Sequence, residues 1–280
     1  MMIKPSKLNF GTSGIPLRTE NPSTENGIKK VHELGLDAME LEFVRNVNIN
    51  EDKAPEIKKI AEKENVILTC HGQYYINLNA EEREKIEASK NRIMHAAKIA
   101  YLCGAYSMCF HAAYYMKQEP KSVYEKVKDS LKEVTKKLKD KGYDIWVRPE
   151  TTGKRAQFGT LEEILKLSQE IENVMPCIDF SHLHARTQAN NTYDEFNDLL
   201  RLVENKLGRE GLNNMHIHLS GINYGDKGEK NHLNLRESDM NYADLLSVFK
   251  EFKIKGIVIG ESPNVEVDAL FLKKEFGKIE

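Results

Sequence analysis

AYSMCFHAAYYMKQEPKSVYEKVKDSLKEVTKKLKDKGYDIWVRPET, residues 105–151, joins two short apolar runs through one long amphipathic segment. Lys, Glu and Asp fill most of the remaining positions of that segment, so one face of a helix would be buried and the other solvated. The sequence KDKG (139–142) ends the segment with a glycine suited to a left-handed helix C-cap. The stretch therefore predicts one strand–helix–strand unit. The apolar residues with helical spacing are Val123, Val127, Leu131, Val134 and Leu138.

The same unit recurs along the chain, and KIKG (253–256) is a further candidate helix end with glycine. Alternating strands and helices predict a parallel sheet covered by helices, and eight strands are the number that closes a barrel. No Pro/Gly/Ser-rich linker divides the chain, so we predict one α/β domain over residues 1–280, a (β/α)8 TIM barrel. The eight apolar runs are 8–14, 36–44, 65–72, 105–113, 144–151, 174–182, 215–221 and 256–262.

Composition excludes several classes of protein. With 40% hydrophobic and 30% charged residues the chain is typical of a soluble globular protein. A formal net charge of −2 argues against a protein that coats nucleic acid with a basic surface. The four cysteines form no CxxC pair, which favours reduced core residues. The sequence has no signal-peptide pattern and no apolar run of membrane-spanning length. We expect a cytoplasmic monomer that contacts no membrane.

Polar residues stand where the apolar runs end, and in this barrel those positions meet at one mouth. Burying so many carboxylates and imidazoles together is costly unless divalent cations compensate for it. Mixed nitrogen and oxygen ligands favour zinc, manganese or iron over magnesium or calcium, and zinc is our first choice. The residues are His71, His111, Glu150, Asp179, His182, His216, His218 and Glu261.

Each of these residues also has a plainer interpretation. A single His on an apolar strand is more often a hydrogen-bonded core residue, and a buried Glu can form an ion pair. Their convergence on one mouth is what favours shared metals. His32 and His95 fall in helical segments and are left out, while His184 could contact a ligand or the substrate. The turn GTSG (11–14) could offer backbone N–H groups to phosphate or serve only as a turn.

Seven segments of the sequence carry a family resemblance. They are HGQYYINL (71–78), FHAA (110–113), PETTG (149–153), CIDFSHLHA (177–185), HIHLSG (216–221), NHLNL (231–235) and GESPN (260–264). Together they resemble the endonuclease IV family of apurinic/apyrimidinic endonucleases, within the xylose isomerase-like TIM barrel superfamily. The resemblance runs from about residue 65 to 264. It implies a barrel with three metal ions, typically zinc, that cuts duplex DNA on the 5′ side of an abasic nucleotide and leaves a 3′-hydroxyl.

The resemblance also implies roles for individual residues. His71 and His111 would hold a first zinc, and Glu150 would bridge it to a second. The second would be completed by Asp179, His218 and Glu261, and the third would be held by His182 and His232. We choose His218 over His216 because HLSG matches the family after its histidine. The catalytic residues would be Glu150, at the bridged pair that activates the water, and Glu261, which would orient the water or accept its proton.

This chain departs from the family at the third metal. Where the family carries an acid two residues before His232, the chain has Lys230, and its nearest acids are Glu229 and Asp226. Either Glu229 substitutes or the site is altered, so we expect two or three Zn²⁺ per chain, with Mn²⁺ as the other candidate. For DNA contacts, the resemblance assigns Tyr74, or Tyr75 beside it, to the minor-groove loop. It assigns Arg45 to a basic wedge, and His184 is a further substrate contact.

Two other functions compete with the nuclease. A sugar isomerase or epimerase with one divalent metal would use Glu150, Asp179, Glu261 and either His216 or His218. Such an enzyme has no clear use for His71 and His111, nor for the pair His182 and His232. A non-catalytic nucleic-acid-binding barrel with vestigial ligands is supported by Lys230 alone.

Overall fold

In residues 5–279, which the computed structural model describes, eight parallel strands form the predicted barrel. They pair in the order β5-β4-β3-β2-β1-β8-β7-β6. Bridges from Val147 to Val174 and from Glu150 to Cys177 join the two ends and close the circle. The strands are β1 (Leu8–Ser13), β2 (Ala38–Glu42), β3 (Ile67–His71), β4 (Ser107–Phe110), β5 (Trp146–Pro149), β6 (Cys177–Asp179), β7 (Met215–Leu219) and β8 (Gly256–Gly260).

Helices follow the strands and bury their apolar faces against the outside of the barrel. In α4 the residues with helical spacing, such as Val127 and Val134, are fully buried. Two helices begin with capping boxes, in which Thr160 pairs with Glu163 and Thr192 with Glu195. The helices are α1 (Thr24–Glu33), α2 (Ala54–Glu64), α3 (Arg83–Leu102), α4 (Pro120–Asp140), α5 (Leu161–Glu170), α6 (Phe180–Thr187), α7 (Tyr193–Asn213), α8 (Tyr242–Glu251) and α9 (Glu266–Lys278).

Of two glycines that the sequence predicted to end helices, one does so and the other does not. Gly142 has the expected left-handed backbone, with φ of 77°, just after α4. Gly256 does not cap a helix, because it opens β8 with φ of 135°. A Cβ atom at Gly256 would lie 2.1 Å from the carbonyl oxygen of Met215, so glycine is required there by the close approach of β7.

The sequence patterns did not predict two small antiparallel sheets at the barrel mouth. One pairs Gly221–Gly225 with Gly228–Leu233, and a register shift follows Asn223. The other pairs Ala113–Tyr114 with Gln157–Phe158. The first hairpin directly follows β7, and it contacts the segments after β5, β6 and β8 at Gly153, His182 and Glu261. In the described residues, no helix is both long and apolar enough to span a membrane.

Candidate metal centre

The carboxyl ends of the strands surround a cavity of about 350 Å³. Most residues that the sequence analysis singled out lie on its walls, which agrees with the general position of active sites in this barrel. The lining residues are His71, Tyr74, Ile76, His111, Tyr114, Glu150, Lys154, Gln157, His182, Glu229, His232 and Glu261.

The first group of candidate metal ligands consists of His71, His111 and Glu150. Nε2 of His71 lies 3.3 Å from Oε2 of Glu150, and Nε2 of His111 lies 3.4 Å from Oε1. Nδ1 of His71 is 2.7 Å from the carbonyl oxygen of Gly72, so Nδ1 carries the proton and Nε2 faces the carboxylate. Burial lowers the pKa of His71, but the Glu150 carboxylate outweighs burial and raises it to about 10. This group therefore attracts positive charge.

The second group shares Glu150 with the first. Its candidate ligand atoms, from Glu150, Asp179, His218 and Glu261, all lie within 4.8 Å of one another. Nδ1 of His218 is 3.4 Å from both Glu150 and Glu261. Burial raises the pKa of Glu261, the neighbouring His218 lowers it, and Glu150 and Asp179 raise it again, so that it stands well above its usual value. Three carboxylates around one imidazole, two of them buried and that of Glu261 11% exposed, suit a cation that offsets their charge.

The third group consists of Asp179, His182 and His232, and it shares Asp179 with the second. Nδ1 of His232 faces the carbonyl oxygen of Glu261 at 3.2 Å, and Nδ1 of His182 faces that of Thr151 at 3.0 Å. The two Nε2 atoms then face each other at 3.4 Å. Two nitrogens bound to one tetrahedral zinc, each about 2.0–2.1 Å from the metal, lie roughly 3.4 Å apart. The donor set and its spacing therefore fit a metal ion.

Glu229, and not Lys230, faces this third group. Oε2 of Glu229 lies 3.5 Å from Nε2 of His182, while Lys230 is exposed and lies over Gly225 on the outer side of the hairpin. Gly153 makes room for this approach, because a Cβ atom there would lie 2.6 Å from the Cβ atom of Glu229. The register shift in the hairpin thus brings a carboxylate to the position that the linear spacing left open.

His218 and His216 lie on one inward strand face but at different depths. His218 reaches the second group, whereas His216 lies deeper, with Nε2 3.0 Å from Oε2 of Glu40 and Nδ1 2.9 Å from Oγ of Ser107. The structure therefore brings His218, and not His216, to the cavity groups.

The three residues predicted to contact the substrate do not all lie at the cavity. Tyr74 is 58% exposed on the cavity wall, with its ring 5.4 Å from that of His71. Arg45 is exposed on the loop after β2. The backbone N–H of Tyr74 donates to the carbonyl oxygen of Val44, so the Tyr74 loop and the Arg45 loop are joined. His184 is not brought to the cavity. Its Nδ1 contacts the carbonyl oxygen of Ala189 at 2.8 Å and its Nε2 lies 3.3 Å from Asp239, so it ties α6 to neighbouring loops.

Sequence reasoning missed the acids of β2. Glu40 is fully buried and faces Nε2 of both His216 and His218 at 3.0 Å. Glu42 accepts a hydrogen bond from Ser13 at 2.8 Å, and burial, followed by the charge of Glu40, raises its pKa to about 7. The alternation Glu-Leu-Glu is typical of a strand with one solvated face, and only barrel closure turns that face inward.

The barrel and the polar residues at its mouth define the chain as a (β/α)8 barrel of the enzymatic type, in which sites lie at the carboxyl ends of the strands. Residues 28–276 match the family model described as xylose isomerase-like TIM barrel. The chain belongs to this family. It is also 44% identical over 273 residues to an uncharacterized protein of Methanocaldococcus jannaschii, covering 97% of this chain and 98% of that protein.

Solved structures with the same fold include both nucleases and sugar enzymes. Endonuclease IV from Thermus thermophilus has a TM-score of 0.71 at 18% identity, covering 95% of this chain and 99% of its own. A D-tagatose 3-epimerase-like protein has a TM-score of 0.74 at 18% identity, covering 95% and 97%. A 3-keto-D-glucoside 4-epimerase from E. coli has a TM-score of 0.70 at 14% identity, covering 97% and 99%. At these identities the likeness shows the fold alone.

Proposed function

We propose that this protein is a metal-dependent phosphodiester hydrolase of the endonuclease IV type, which incises duplex DNA on the 5′ side of abasic sites. The observation that carries the proposal is the position of Glu150. His71 and His111 approach its carboxylate in the first group, while His218 approaches it in the second. Such a carboxylate suits a bridge between two zinc ions, and the shared Asp179 extends the arrangement to a third.

Bound ions would supply a nucleophile from water at neutral pH and offset the charge that develops on the phosphate. Glu150 would hold the two halves of the centre together through its two oxygens. Glu261, whose carboxylate lies 3.4 Å from Nδ1 of His218 in the second group, would orient the attacking water and take its proton. His182 and His232 would fix the far side of the phosphate site, where the Glu229 carboxylate replaces the acid missing at position 230.

A basic rim stands beside this centre, although the chain as a whole has a formal charge of −2. Arg155 donates its backbone N–H to the carbonyl oxygen of Lys227, and Lys154 bridges to Gly228 at the hairpin turn. Lys154, Lys227 and Lys230 are exposed there. Cations in such a position would contact DNA phosphates and orient the duplex over the cavity. Lys230 would therefore contact a DNA phosphate and not bind a metal ion.

We expect Lys230→Ala to weaken binding of an abasic duplex and to reduce the slope of log affinity against log salt concentration by about 1, as for one lost phosphate contact. Binding would be measured in a Glu261→Gln background, so that the duplex stays intact. Lys136→Ala, on the outer face of α4, is the matched control. An unchanged slope in the Lys230 variant would contradict the phosphate contact.

The proposal is tested with a duplex that carries one tetrahydrofuran abasic analogue, incubated with the protein and Zn²⁺ or Mn²⁺. We expect a single incision 5′ to the analogue that leaves a 3′-hydroxyl extendable by a DNA polymerase. The undamaged duplex of the same sequence is the control. A folded, metal-loaded protein that leaves the abasic duplex intact would refute the proposed function.

One observation favours a sugar isomerase or epimerase as the second candidate. Glu150, Asp179, His218 and Glu261 alone could hold one divalent metal, and a cavity of about 350 Å³ is the size of a small-molecule site. That reaction has no need for His71, His111 or the pair His182 and His232. We therefore favour the nuclease, which uses all of them.

A further inference from the structure

A second cluster of ligand-type side chains lies deeper in the barrel, below the cavity groups. It comprises Cys109 on β4, Cys177 on β6, and His216 and His218 on β7, and all four are fully buried. Their candidate ligand atoms lie within 4.8 Å of one another. Cys109, Cys177 and His216 have no part in the three groups that line the cavity, so the proposed hydrolysis leaves them unexplained.

The hydrogen bonds around His216 leave one ring nitrogen without a partner. Nδ1 lies 2.9 Å from Oγ of Ser107, an interaction that can place the proton on Nδ1. Nε2 is buried and has no hydrogen-bond partner, although it lies 3.0 Å from Oε2 of Glu40. Either a proton or a metal ion held between this nitrogen and the carboxylate oxygen would offset the buried negative charge, and the two thiols nearby favour the metal ion.

The two thiols are placed for a shared ion and not for a disulfide. Strands β4 and β6 are separated by β5, and neighbouring strands are about 4.8 Å apart, so the two Cα atoms are roughly 9 Å apart. Disulfides require Cα atoms less than about 7 Å apart. Two sulfurs bound to one tetrahedral zinc, each about 2.3 Å from the metal, lie about 3.8 Å apart. That separation falls within the 4.8 Å spread of the cluster.

Glu40 is placed to complete the set and to link it to the cavity. Its Oε2 lies 3.0 Å from Nε2 of His216 and 3.7 Å from Sγ of Cys109, so it adjoins two of the proposed ligands. Its Oε1 lies 3.0 Å from Nε2 of His218, whose Nδ1 faces the second cavity group. A carboxylate that holds the far nitrogen of a ligating histidine fixes the ring and raises its basicity.

We propose that Cys109, Cys177, His216 and Glu40 bind a further divalent cation, zinc by preference, in the interior of the barrel. Thiolate ligands select zinc over magnesium, calcium or manganese, and four protein ligands close the coordination shell, as in a structural site. The ion compensates for polar groups that the barrel interior otherwise buries at a cost, and through Glu40 it holds His218 in place for the cavity centre.

Cobalt(II) replacing zinc tests this site, because sulfur-to-cobalt charge transfer absorbs strongly in the near ultraviolet. The cavity groups contain only nitrogen and oxygen ligands, so they cannot produce that band. We expect the band in the full-length cobalt protein. We expect it to disappear in the Cys109→Ser, Cys177→Ser double variant, with the metal content lower by one ion per chain. Cys103→Ser, a buried cysteine after α3 and outside the cluster, should leave both the band and the metal content unchanged.

X-ray absorption at the zinc edge of the wild-type protein is a second test, which needs no variant. We expect a sulfur shell at about 2.3 Å. A zinc-loaded protein without that shell, a cobalt protein without the band, or a band that survives in the double variant would each overturn the site. Incision of abasic DNA without the band would overturn this inference and leave the proposed function standing. A band without incision would do the reverse.

Discussion

Glu261→Gln is expected to lower the turnover number for incision of an abasic duplex by about 10²- to 10⁴-fold, the usual effect of removing a general base. The amide keeps the shape of the side chain but cannot accept the proton. The side chain of Glu261 is 11% exposed at the cavity, and the substitution removes one of three clustered carboxylates, so the fold should persist. Single-turnover incision at saturating duplex and metal, together with circular dichroism, would measure both effects.

Glu275→Gln is the matched control for this variant. Glu275 lies on α9, outside the set of residues that line the cavity, and it pairs only with the exposed Lys278 in the described part of the structure. The control should retain full activity. Near-wild-type incision by the Glu261 variant would mean that the proton acceptor lies elsewhere.

His111→Ala is expected to remove one metal ion per chain and to reduce incision by more than about 100-fold, since even outer contacts to a metal site are worth 10- to 100-fold. Nε2 of His111 faces Glu150 at 3.4 Å in the first group, and its side chain is 20% exposed, so truncation leaves no sealed cavity. Elemental analysis of the purified protein and the incision assay would measure the two effects.

This variant also separates the two candidate functions. A one-metal isomerase would use the second group and lose neither its metal nor its activity on sugars when His111 is removed. His95→Ala, on the exposed face of α3, is the control and should change neither quantity. An unchanged metal content in the His111 variant would contradict the first group as a metal site.

The local sequence pattern predicted the barrel well. Each of the eight apolar runs contains one barrel strand, and the apolar spacing from Val123 to Leu138 lies within α4. These features depend on residues close in sequence, because side chains alternate with a period of two in strands and 3.6 in helices. The cavity residues at strand ends were also accessible to this reasoning, because all the carboxyl ends of a parallel barrel meet at one mouth.

Other parts of the site depended on contacts that no local pattern contains. Glu229 reaches the third group through a hairpin with a register shift, and Lys230 turns outward, so spacing along the chain gave no reliable guide. His184 seemed available to the substrate because it follows His182 by two residues, yet that interval on a helix points it away from the cavity. It contacts Ala189 and Asp239 instead.

The amino-acid sequence by itself determined the order of strands and helices and the mouth at which His71, His111, Glu150 and Glu261 would meet. Only the tertiary structure decided how deep each side chain lies and which way it faces. It places His218 nearer the mouth than His216, Glu229 toward the cavity, and Glu40 beside Cys109. The physical reason is that periodicity assigns a side chain to a face of its own element. Its neighbours across the barrel follow from strand stagger and closure, which join residues far apart in the chain.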